Sequence, residues 1–410
     1  MVAIATNVVD GALVRPTPAP AARSGGEPIR VAHVISGLGT GGAENFLLRL
    51  VSSISENDVQ ARVISLTGSG SMVPRFRKAG VELVELGLVA PAVWRQLPQA
   101  GRALRRTMQE WQPHIIQGWM NHGNVAAWLA RLSGSHPAKL LWSVRQTVYD
   151  VTLEKPGTRA AIRLQSWLSS RTDGIVFNSR LGLQQHSRLG FRNGRMEVIP
   201  NGFDVQKFRP RPDCRQAARE QLGCRADELL VGMIARNHPM KDYRTFLEAV
   251  AIATAQVPGL RAVCVGGGLE SADASLAVII RELGLDNVCT LLEEQAELEF
   301  VYPGLDILCL TSAWGEGFPN VIGEAMSCGI PCIATDIGDT ASVIGDAGWI
   351  VQPRRPRDVA AAIVQVARMS TEARRQAGVS ARERVINEYS MRVIAARYLD
   401  LYDFLVQGAA

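Results

Sequence analysis

Short apolar runs rich in β-branched residues alternate along the chain with longer stretches in which apolar residues recur at helical spacing. The first pattern predicts buried strands and the second predicts amphipathic helices. In the first half, strands are expected at residues 29–36, 59–66, 81–86, 115–116, 139–143 and 174–178, with a helix over 43–53. In the second half, strands are expected at 229–234, 261–265, 287–292, 306–310 and 331–334. Repeated alternation of strand and helix indicates an α/β fold with parallel sheets covered on both faces.

The two sets of strands predict two doubly wound, Rossmann-like domains. A chain of 410 residues is too long for one hydrophobic core. The domains are expected at 29–202 and 203–385, with a disordered tail at 1–28 and a C-terminal helix at 386–410 that packs back on the first domain. Because ligands bind beyond the carboxyl ends of parallel strands, the active site is expected in a cleft between the two domains.

Composition is that of an ordinary soluble α/β protein, with 47% apolar and 6% aromatic residues. No uncharged apolar run approaches the roughly 20 residues of a spanning helix. All seven cysteines follow residue 213 at spacings that match no zinc motif, which predicts buried, reduced thiols. Since the N-terminus also lacks the features of a signal peptide, a cytoplasmic location is expected.

Charge is shared unevenly between the two halves. Residues 1–200 hold 23 Lys and Arg against 12 Asp and Glu, whereas residues 201–410 hold 21 against 27. Basic residues at 75–78 and at Arg102, Arg105 and Arg106 alternate with apolar residues at helical spacing. This pattern fits a helix on an anionic membrane surface and equally a solvated helix face. No nucleic-acid-binding motif accompanies the charge, so nucleic acid is not an expected partner.

The segment 315–329 carries two glutamates, Glu316 and Glu324, separated by seven residues. Glycines on both sides of Glu316 and then Pro319 lead into a short helix, which Gly329 is placed to end. Backbone N–H groups at the start of such a helix can hold a phosphate. Two flanking carboxylates then suit a ligand with a ribose on one side and a sugar on the other. A buried strand–helix unit with two solvated glutamates is the alternative.

Two cations are expected at the same sheet edge. Arg236 follows the strand at 229–234, and Lys241 stands just before the next helix. Together they match the charge of a diphosphate leaving group without a metal ion. The sequence contains neither Asp-x-Asp nor a His/Cys cluster, so no metal and no resident cofactor are predicted. Taken singly, either residue also fits an ordinary surface cation.

Residues 37–42 form a glycine-rich turn, Gly-Leu-Gly-Thr-Gly-Gly, between a strand and a helix. The turn is similar to the dinucleotide fingerprint, which makes an NAD(P)-dependent oxidoreductase an alternative hypothesis. The fingerprint needs an acidic residue at the end of the second strand, and the strand at 63–67 ends without one. The glycine spacing departs from the fingerprint as well.

Taken in order, these motifs resemble those of the retaining GT-B glycosyltransferases of family 4. The matching features run over nearly the whole chain from residue 29: 37–44, 198–204 with Phe208, Arg236 with Lys241, 265–268, Glu316 with Glu324, and 334–338. The resemblance implies two Rossmann-like domains facing across a cleft. It also implies a nucleotide-sugar donor held mainly by the second domain and an acceptor held mainly by the first.

The resemblance further implies roles for individual residues. Glu316 would bind hydroxyls of the donor sugar, and Glu324 those of the ribose. Arg236 and Lys241 would hold the diphosphate, and the departing phosphate would help to deprotonate the acceptor in a same-face displacement. The implied donor-binding residues are Gly39, Gly41, Gly42, Gly317, Phe318, Asn320, Val321 and Glu324.

The first domain departs from the family pattern at one catalytic position. Many relatives place a histidine just after a strand in the middle of this domain, where this chain has Trp119. His122 either supplies the catalytic function or caps the following helix, and the catalytic role is favoured because Gly123 and Asn124 leave the backbone open. Arg145 is a candidate acceptor-binding residue, with an ordinary edge cation as its alternative.

The resulting prediction is transfer of a hexosyl or N-acetylhexosaminyl group from a UDP- or GDP-sugar to a saccharide or polyprenyl-linked acceptor. Cell-surface polysaccharide synthesis at the inner face of the cytoplasmic membrane is the expected setting. The loop expected to contact the nucleotide base has Glu-Glu-Gln at 293–295, where relatives tend to have glycine first. The identity of the nucleotide base therefore stays open. A sugar-nucleotide epimerase, a phosphorylase or a non-catalytic binding subunit of the same fold remain alternatives, although no context for a pyridoxal lysine is recognisable.

Overall fold

A computed structural model describes residues 27–68, 70–88, 93–133, 137–269 and 275–408. The contacts within the chain divide it into two units, Met1–Gly202 with Arg392–Ala410, and Phe203–Met391. Almost all of the predicted tail at 1–28 lies outside the described residues.

The first unit is built on a seven-stranded parallel sheet with the order β3-β2-β1-β4-β5-β6-β7. Because the strand order reverses on either side of β1 and β4, the sheet is doubly wound, as predicted. Its strands are β1 Ile29–Ile35, β2 Val59–Thr67, β3 Glu82–Leu88, β4 Ile115–Trp119, β5 Lys139–Val144, β6 Gly174–Phe177 and β7 Met196–Val198.

Helices cover both faces of this sheet. They are α1 Gly42–Ser53, α2 Val73–Lys78, α3 Val93–Trp111, α4 Met120–Ser133, α5 Pro156–Leu168 and α6 Arg180–Arg188, with short 3₁₀ turns at Val151–Leu153 and Ser169–Arg171. On one face, Met108 of α3, Ala127 of α4 and Ile162 of α5 share a core with Val34 of β1. The helices α3, α4 and α5 therefore lie side by side on that face.

The second unit is built on a six-stranded parallel sheet with the order β10-β9-β8-β11-β12-β13. Its strands are β8 Leu229–Ile234, β9 Leu260–Val265, β10 Cys289–Leu292, β11 Ile307–Leu310, β12 Cys332–Thr335 and β13 Trp349–Val351. Its helices are α7 Arg215–Gln221, α8 Tyr243–Thr254, α9 Ser275–Glu282, α10 Leu298–Val301, α11 Asn320–Ser327, α12 Thr340–Ile344, α13 Pro356–Arg368 and α14 Thr371–Glu388. Short 3₁₀ turns occupy Pro212–Cys214, Pro239–Lys241 and Tyr302–Gly304.

The last helix, α15 Met391–Gln407, lies almost wholly in the first unit. Its Tyr402 hydroxyl donates a 2.5 Å hydrogen bond to Gln117 Oε1 beneath the sheet, and Arg397 donates to the carbonyl of Val198 at 2.6 Å. The chain returns to this unit at Arg392 rather than at residue 386, because α14 continues to Glu388.

Two further expectations concern the thiols and the membrane. Five of the seven cysteines are buried, but Cys214 and Cys289 are half-buried, so the prediction of buried thiols is wrong for these two. No helix in the described part of the chain combines the length and apolar character that crossing a membrane requires.

Candidate active site

Loops after β8, β11 and β12 meet at the carboxyl edge of the second sheet. The loop after β8 places Arg236 next to the sheet and then makes a tight turn at Pro239–Lys241. His238 fixes this turn, because its Nδ1 accepts a hydrogen bond from the N–H of Met240 at 3.2 Å. Asp242 follows in a left-handed conformation and caps α8. Lys241 is thereby held directly in front of that helix.

Lys241 Nζ forms an ion pair and hydrogen bond with Glu316 Oε1. The side chains are 15% and 8% exposed, so the pair is largely shielded from water. The Ser312 hydroxyl donates to the same carboxylate oxygen at 2.5 Å. The Thr311 hydroxyl also donates to the carbonyl of Lys241 at 3.2 Å. These contacts join the β8 and β11 loops and orient the Glu316 carboxylate from two sides.

The loop after β12 packs directly on the backbone beside Glu316. Asp339 donates its N–H to the carbonyl of Gly317 at 3.1 Å. A Cβ at Gly338 would lie 1.9 Å from the carbonyl oxygen of Glu316, and Gly338 has a φ of +63°. Both facts require glycine at this position. The motif at 334–338 therefore supports the loop that carries Glu316.

The helix α11 begins and ends where the sequence predicts. It starts at Asn320 after Pro319, with no side-chain cap at its N-terminus, and its residues Asn320 and Val321 are half-buried. At its other end Gly329 is left-handed, and the N–H of Ile330 bonds to the carbonyl of Ala325 at 3.0 Å. This is a Schellman ending, which confirms the stop predicted at Gly329.

The residues around α11 differ in exposure. Phe318 is buried and stacks on Phe203 with 5.9 Å between the ring centroids. Gly317 and Glu324 are half-buried. Glu324 Oε2 accepts a 3.1 Å hydrogen bond from the hydroxyl of the buried Tyr302. The buried Tyr302 therefore fixes the position of the Glu324 carboxylate. Glu324 lies on α11, the helix that directly follows the loop of Glu316.

The second unit thus gathers positive charge beside two carboxylates. Arg236 is exposed, and within the described residues its side chain makes no hydrogen bond or ion pair. Burial lowers the pKa of His238, and the charges of Arg236 and Lys241 lower it further. Arg236 is therefore available to an anion, while Lys241 shares its charge with Glu316. The described residues contain no group of three or more His, Cys, Asp or Glu side chains arranged to hold a metal ion.

The predicted glycine turn lies at the carboxyl edge of the sheet in the first unit. Gly41 is the N-cap of α1 and has an extended backbone, and Gly42 is the first helical residue. Gly39 is exposed, and a Cβ placed on it would meet no atom within 4 Å. The turn is therefore open on the side of Gly39. This leaves space in which a ligand can approach its backbone.

His122 lies exposed in the first turn of α4, which begins at Met120. It is inside the helix, so the alternative that it caps α4 is wrong. The expectation of open backbone beside it is also wrong. Asn124 is fully buried, and a Cβ at Gly123 would lie 2.5 Å from the carbonyl oxygen of Val34. The close packing of α4 on β1 explains why residue 123 is glycine. The catalytic role of His122 stays a prediction.

Trp119, at the position of the family histidine, is fully buried at the end of β4. Its Nε1 donates a 3.1 Å hydrogen bond to Nδ1 of His33, which is also buried. Burial lowers the pKa of His33 to about 3, so this imidazole is neutral at neutral pH. The indole and imidazole form a closed polar pair in the interior of the first unit.

Arg145 follows β5 and is half-buried. Its guanidinium lies 3.7 Å from the centroid of the Phe46 ring. It donates to the Tyr398 hydroxyl of α15 at 3.1 Å and also to Asn201 Oδ1. Burial is the main cause of a lowered pKa for Arg145. Because Arg145 has these partners, it is not an ordinary exposed cation at the sheet edge. Its role in binding the acceptor stays a prediction.

The structure adds residues that sequence reasoning missed. Ser312 orients Glu316, Tyr302 orients Glu324, and Tyr398 contacts Arg145 from the end of the chain. Ser312 lies four residues before Glu316, and this closeness is the one signal that could have identified it. Tyr302 and Tyr398 are brought in by tertiary packing, for which a single sequence carries no local signal.

Two doubly wound units of parallel strands are the architecture of the GT-B fold, and two family models match the chain. The model described as Glycosyltransferase Family 4 matches residues 40–207, and that described as Glycosyl transferases group 1 matches residues 215–384. A D-inositol 3-phosphate glycosyltransferase of Saccharomonospora viridis is 30% identical over 301 residues, covering 69% of this chain and 68% of the relative. The chain therefore belongs to the group 1 glycosyltransferases.

Other relatives and solved structures agree with this assignment. A D-inositol 3-phosphate glycosyltransferase of Rhodococcus erythropolis is 34% identical over 188 residues, but the match covers only 43% of this chain and 42% of the relative. Anabaena HepE in complex with UDP has a TM-score of 0.77 at 20% identity, with 91% of this chain and 99% of HepE covered. A glycosyltransferase from Rickettsia africae has a TM-score of 0.78 at 18% identity, with 93% of this chain and 100% of that protein covered. At these identities the structural likeness shows the GT-B fold.

Proposed function

We propose that the protein is a retaining, metal-independent glycosyltransferase that takes a hexosyl or N-acetylhexosaminyl group from a UDP- or GDP-sugar. The observation that carries this proposal is the shielded Lys241–Glu316 pair beside the exposed Arg236 and the N-terminus of α11. A diphosphate needs fixed positive charge, and a sugar ring needs oriented carboxylates. The second unit offers both within three joined loops.

The chemistry follows from these groups. The diphosphate binds at Arg236 and at the first N–H groups of α11, and it draws Lys241 away from Glu316. Glu316 and Glu324 then accept hydrogen bonds from sugar and ribose hydroxyls. As the glycosidic bond breaks, charge develops on the leaving phosphate, and the two cations stabilise it. The acceptor hydroxyl oxygen bonds to the anomeric carbon on the face that the phosphate leaves, and the departing phosphate takes the hydroxyl proton. Attack on that same face retains the configuration of the anomeric carbon.

The acceptor is a saccharide or a polyprenyl-linked saccharide in cell-surface polysaccharide synthesis, and the enzyme works in the cytoplasm as a peripheral membrane protein. The basic first half of the chain supports this location. The names of the relatives favour a second candidate, an inositol phosphate acceptor, for which the half-buried cation Arg145 offers a partner. UDP in the complex of the structural neighbour HepE supports a uridine nucleotide in the donor.

A panel of nucleotide sugars and acceptors, assayed in EDTA, tests the proposal. Release of nucleoside diphosphate and transfer to the acceptor are followed separately, and NMR reports the anomeric configuration of the product. Lys241→Ala and Arg236→Ala should each lower kcat by about 10²–10³, because each removes a group that stabilises the leaving phosphate. Lys207→Ala is the matched control, since this 41% exposed lysine pairs with Glu299 elsewhere in the same unit.

Three outcomes would contradict the proposal. Activity that disappears in EDTA and returns with Mn²⁺ or Mg²⁺ would mean that a metal ion neutralises the diphosphate. Near-normal turnover by Lys241→Ala would remove the assigned role of the lysine. Conversion of a nucleotide sugar to its epimer without any transfer would favour the epimerase.

A further inference from the structure

Four large apolar side chains are exposed on two neighbouring helices of the first unit. Leu129 and Leu132 lie three residues apart on α4 and are 52% and 64% exposed. Leu164 and Trp167 lie three residues apart on α5 and are 38% and 65% exposed. Single exposed leucines are ordinary on protein surfaces, but apolar residues grouped on adjacent helices indicate an interaction site.

The two helices are joined along their inward faces. Gln165 of α5 donates to Asn121 Oδ1 at 3.1 Å and accepts from Asn124 Nδ2 at 2.9 Å near the start of α4. Near the other end of α4, Arg131 Nη1 donates to the carbonyl of Arg171, just past the C-terminal end of α5, at 3.0 Å. Residues three apart share a helix face, and the inward positions are occupied by these polar contacts. Each apolar pair therefore lies on the outward face of its helix.

Arginines surround this apolar strip. The Arg171 guanidinium lies 4.7 Å from the centroid of the Trp167 ring, and Arg163 is exposed on the same helix. On α3, which lies on the same face of the sheet, the three arginines singled out from the sequence are all exposed: Arg102, Arg105 and Arg106.

The acidic residues at this surface are paired with cations. Glu110 pairs with Arg106 at 2.6 Å, and Asp173 pairs with Arg131 at 3.2 Å and with Lys139 at 3.6 Å. The surface therefore keeps an excess of positive charge around its apolar centre.

We propose that the outward faces of α3, α4 and α5 form a docking surface for an anionic lipid membrane. Leucine and tryptophan side chains enter the boundary between headgroups and acyl chains, where tryptophan is favoured. Arginines at the edge contact lipid phosphates, because the anionic leaflet attracts basic residues that lie near its surface. A protein partner would not require this positive border, whereas the anionic leaflet complements it.

The docking surface is separate from the candidate acceptor residues. Since α4 begins at the carboxyl end of β4, its first turn with His122 lies near that edge of the sheet, and Leu129 and Leu132 lie in its second half. Substitutions in the docking surface therefore leave the candidate chemistry untouched. They are expected to impair transfer to a lipid-linked acceptor but not turnover of the donor.

Co-sedimentation of the full chain with phosphatidylglycerol/phosphatidylcholine vesicles tests the surface. Leu132→Gln combined with Trp167→Gln should lower the vesicle partition coefficient by at least tenfold at every salt concentration. Arg102, Arg105 and Arg106 replaced together by Gln should lower it mainly at low salt, because these charges are screened within roughly 8 Å at physiological ionic strength. Phe300→Gln is the matched control, since Phe300 is 39% exposed under Arg211 in the second unit.

Fluorescence gives a second measurement for Trp167. Lipids with brominated acyl chains should quench part of the emission of the eight tryptophans, and Trp167→Phe should abolish most of that quenching while vesicle binding persists. Thermal unfolding of the same variants shows whether the chain is folded. Donor turnover in solution tests the proposed glycosyltransferase activity separately from membrane binding.

Unchanged sedimentation of the Leu132/Trp167 variant, or equal binding to neutral vesicles, would overturn the proposal. So would a dimer in solution that this variant dissociates, because the surface would then be an interface between copies of the chain.

Discussion

A lysine and a glutamate that are both largely buried neutralise each other at the candidate site. Lys241 is held by the turn before α8, and Glu316 is held by Ser312 and by the packing around Gly338. The sequence identified both residues from motif position and charge. It did not identify their pairing, because Arg236 and Lys241 are equivalent cations in sequence and only the fold makes one exposed and the other shielded.

The shielded pair predicts a specific stability pattern. Lys241→Met leaves the Glu316 carboxylate without its cation, so the free energy of unfolding of the second unit should fall by about 3 kcal/mol. The double variant Lys241→Met/Glu316→Gln should recover most of this loss, because no unpaired charge remains. Urea denaturation of the wild type and of the single and double variants measures the coupling.

Lys207→Met is the control for this stability experiment. It breaks a partly exposed pair and should cost less than about 1 kcal/mol. A double variant that is no more stable than Lys241→Met would show that the two side chains do not stabilise each other.

The buried His33 predicts a pH dependence of stability. Its pKa is lowered by burial to about 3, whereas unfolded histidine titrates near 6.5. Between these values the unfolded chain binds the proton and the folded chain does not. This residue should therefore make the free energy of unfolding fall by about 1.4 kcal/mol per unit as the pH is lowered below about 6.

His33→Asn is the variant that isolates this dependence. It keeps an acceptor for Trp119 Nε1 but cannot titrate, so the slope measured between pH 6 and 4 should become shallower by about that amount. Identical slopes for the wild type and the variant would show that His33 is accessible to protons in the folded state.

At the scale of elements, the apolar pattern predicted every strand except two short ones at the edges of the sheets. β8 has the predicted bounds, and the other predicted strands overlap those of the structure. β7 Met196–Val198 and β13 Trp349–Val351 were missed because each has three half-buried residues at the edge of its sheet. Such short strands form by pairing with a neighbour, and their own sequence carries no periodic signal.

The packing of α11 on Phe203 gives a prediction at this scale. A Cβ at Gly323 would lie 2.1 Å from the Phe203 ring, so Gly323→Ala must displace either the ring or the helix. We expect the second unit to lose about 1–3 kcal/mol, as overpacked cores do, and donor affinity to fall because α11 carries Glu324. Thermal unfolding and nucleotide titration measure the two effects.

Gly101→Ala on α3 is the matched control for Gly323→Ala. Nothing lies within 4 Å of its Cβ position, so this change should be neutral or should stabilise by up to about 1 kcal/mol. If Gly323→Ala behaved like Gly101→Ala, α11 would have room to move away from Phe203.

At the scale of the whole molecule, the order of motifs was sufficient to predict the GT-B fold and the glycosyltransferase class. The substrates were not predictable, because they depend on loops such as 293–295 and on side chains brought together by folding. Arg145 illustrates this limit. Its partners Phe46, Asn201 and Tyr398 come from three distant parts of the chain, and Tyr398 lies on the helix that returns to the first unit at Arg392.

The central claim is that a nucleotide sugar binds at the loops of the second unit that carry Arg236, Lys241 and Glu316. Hydrogen exchange of the full chain with and without UDP or GDP, in EDTA, tests it most directly. We expect slower exchange at residues 236–242 and 311–324 when nucleotide binds, and we expect Lys241→Ala to lose this effect at the same nucleotide concentration. Protection by NAD(P) confined to residues 37–44, with no change at 311–324 under any nucleotide, would contradict the account and favour the oxidoreductase.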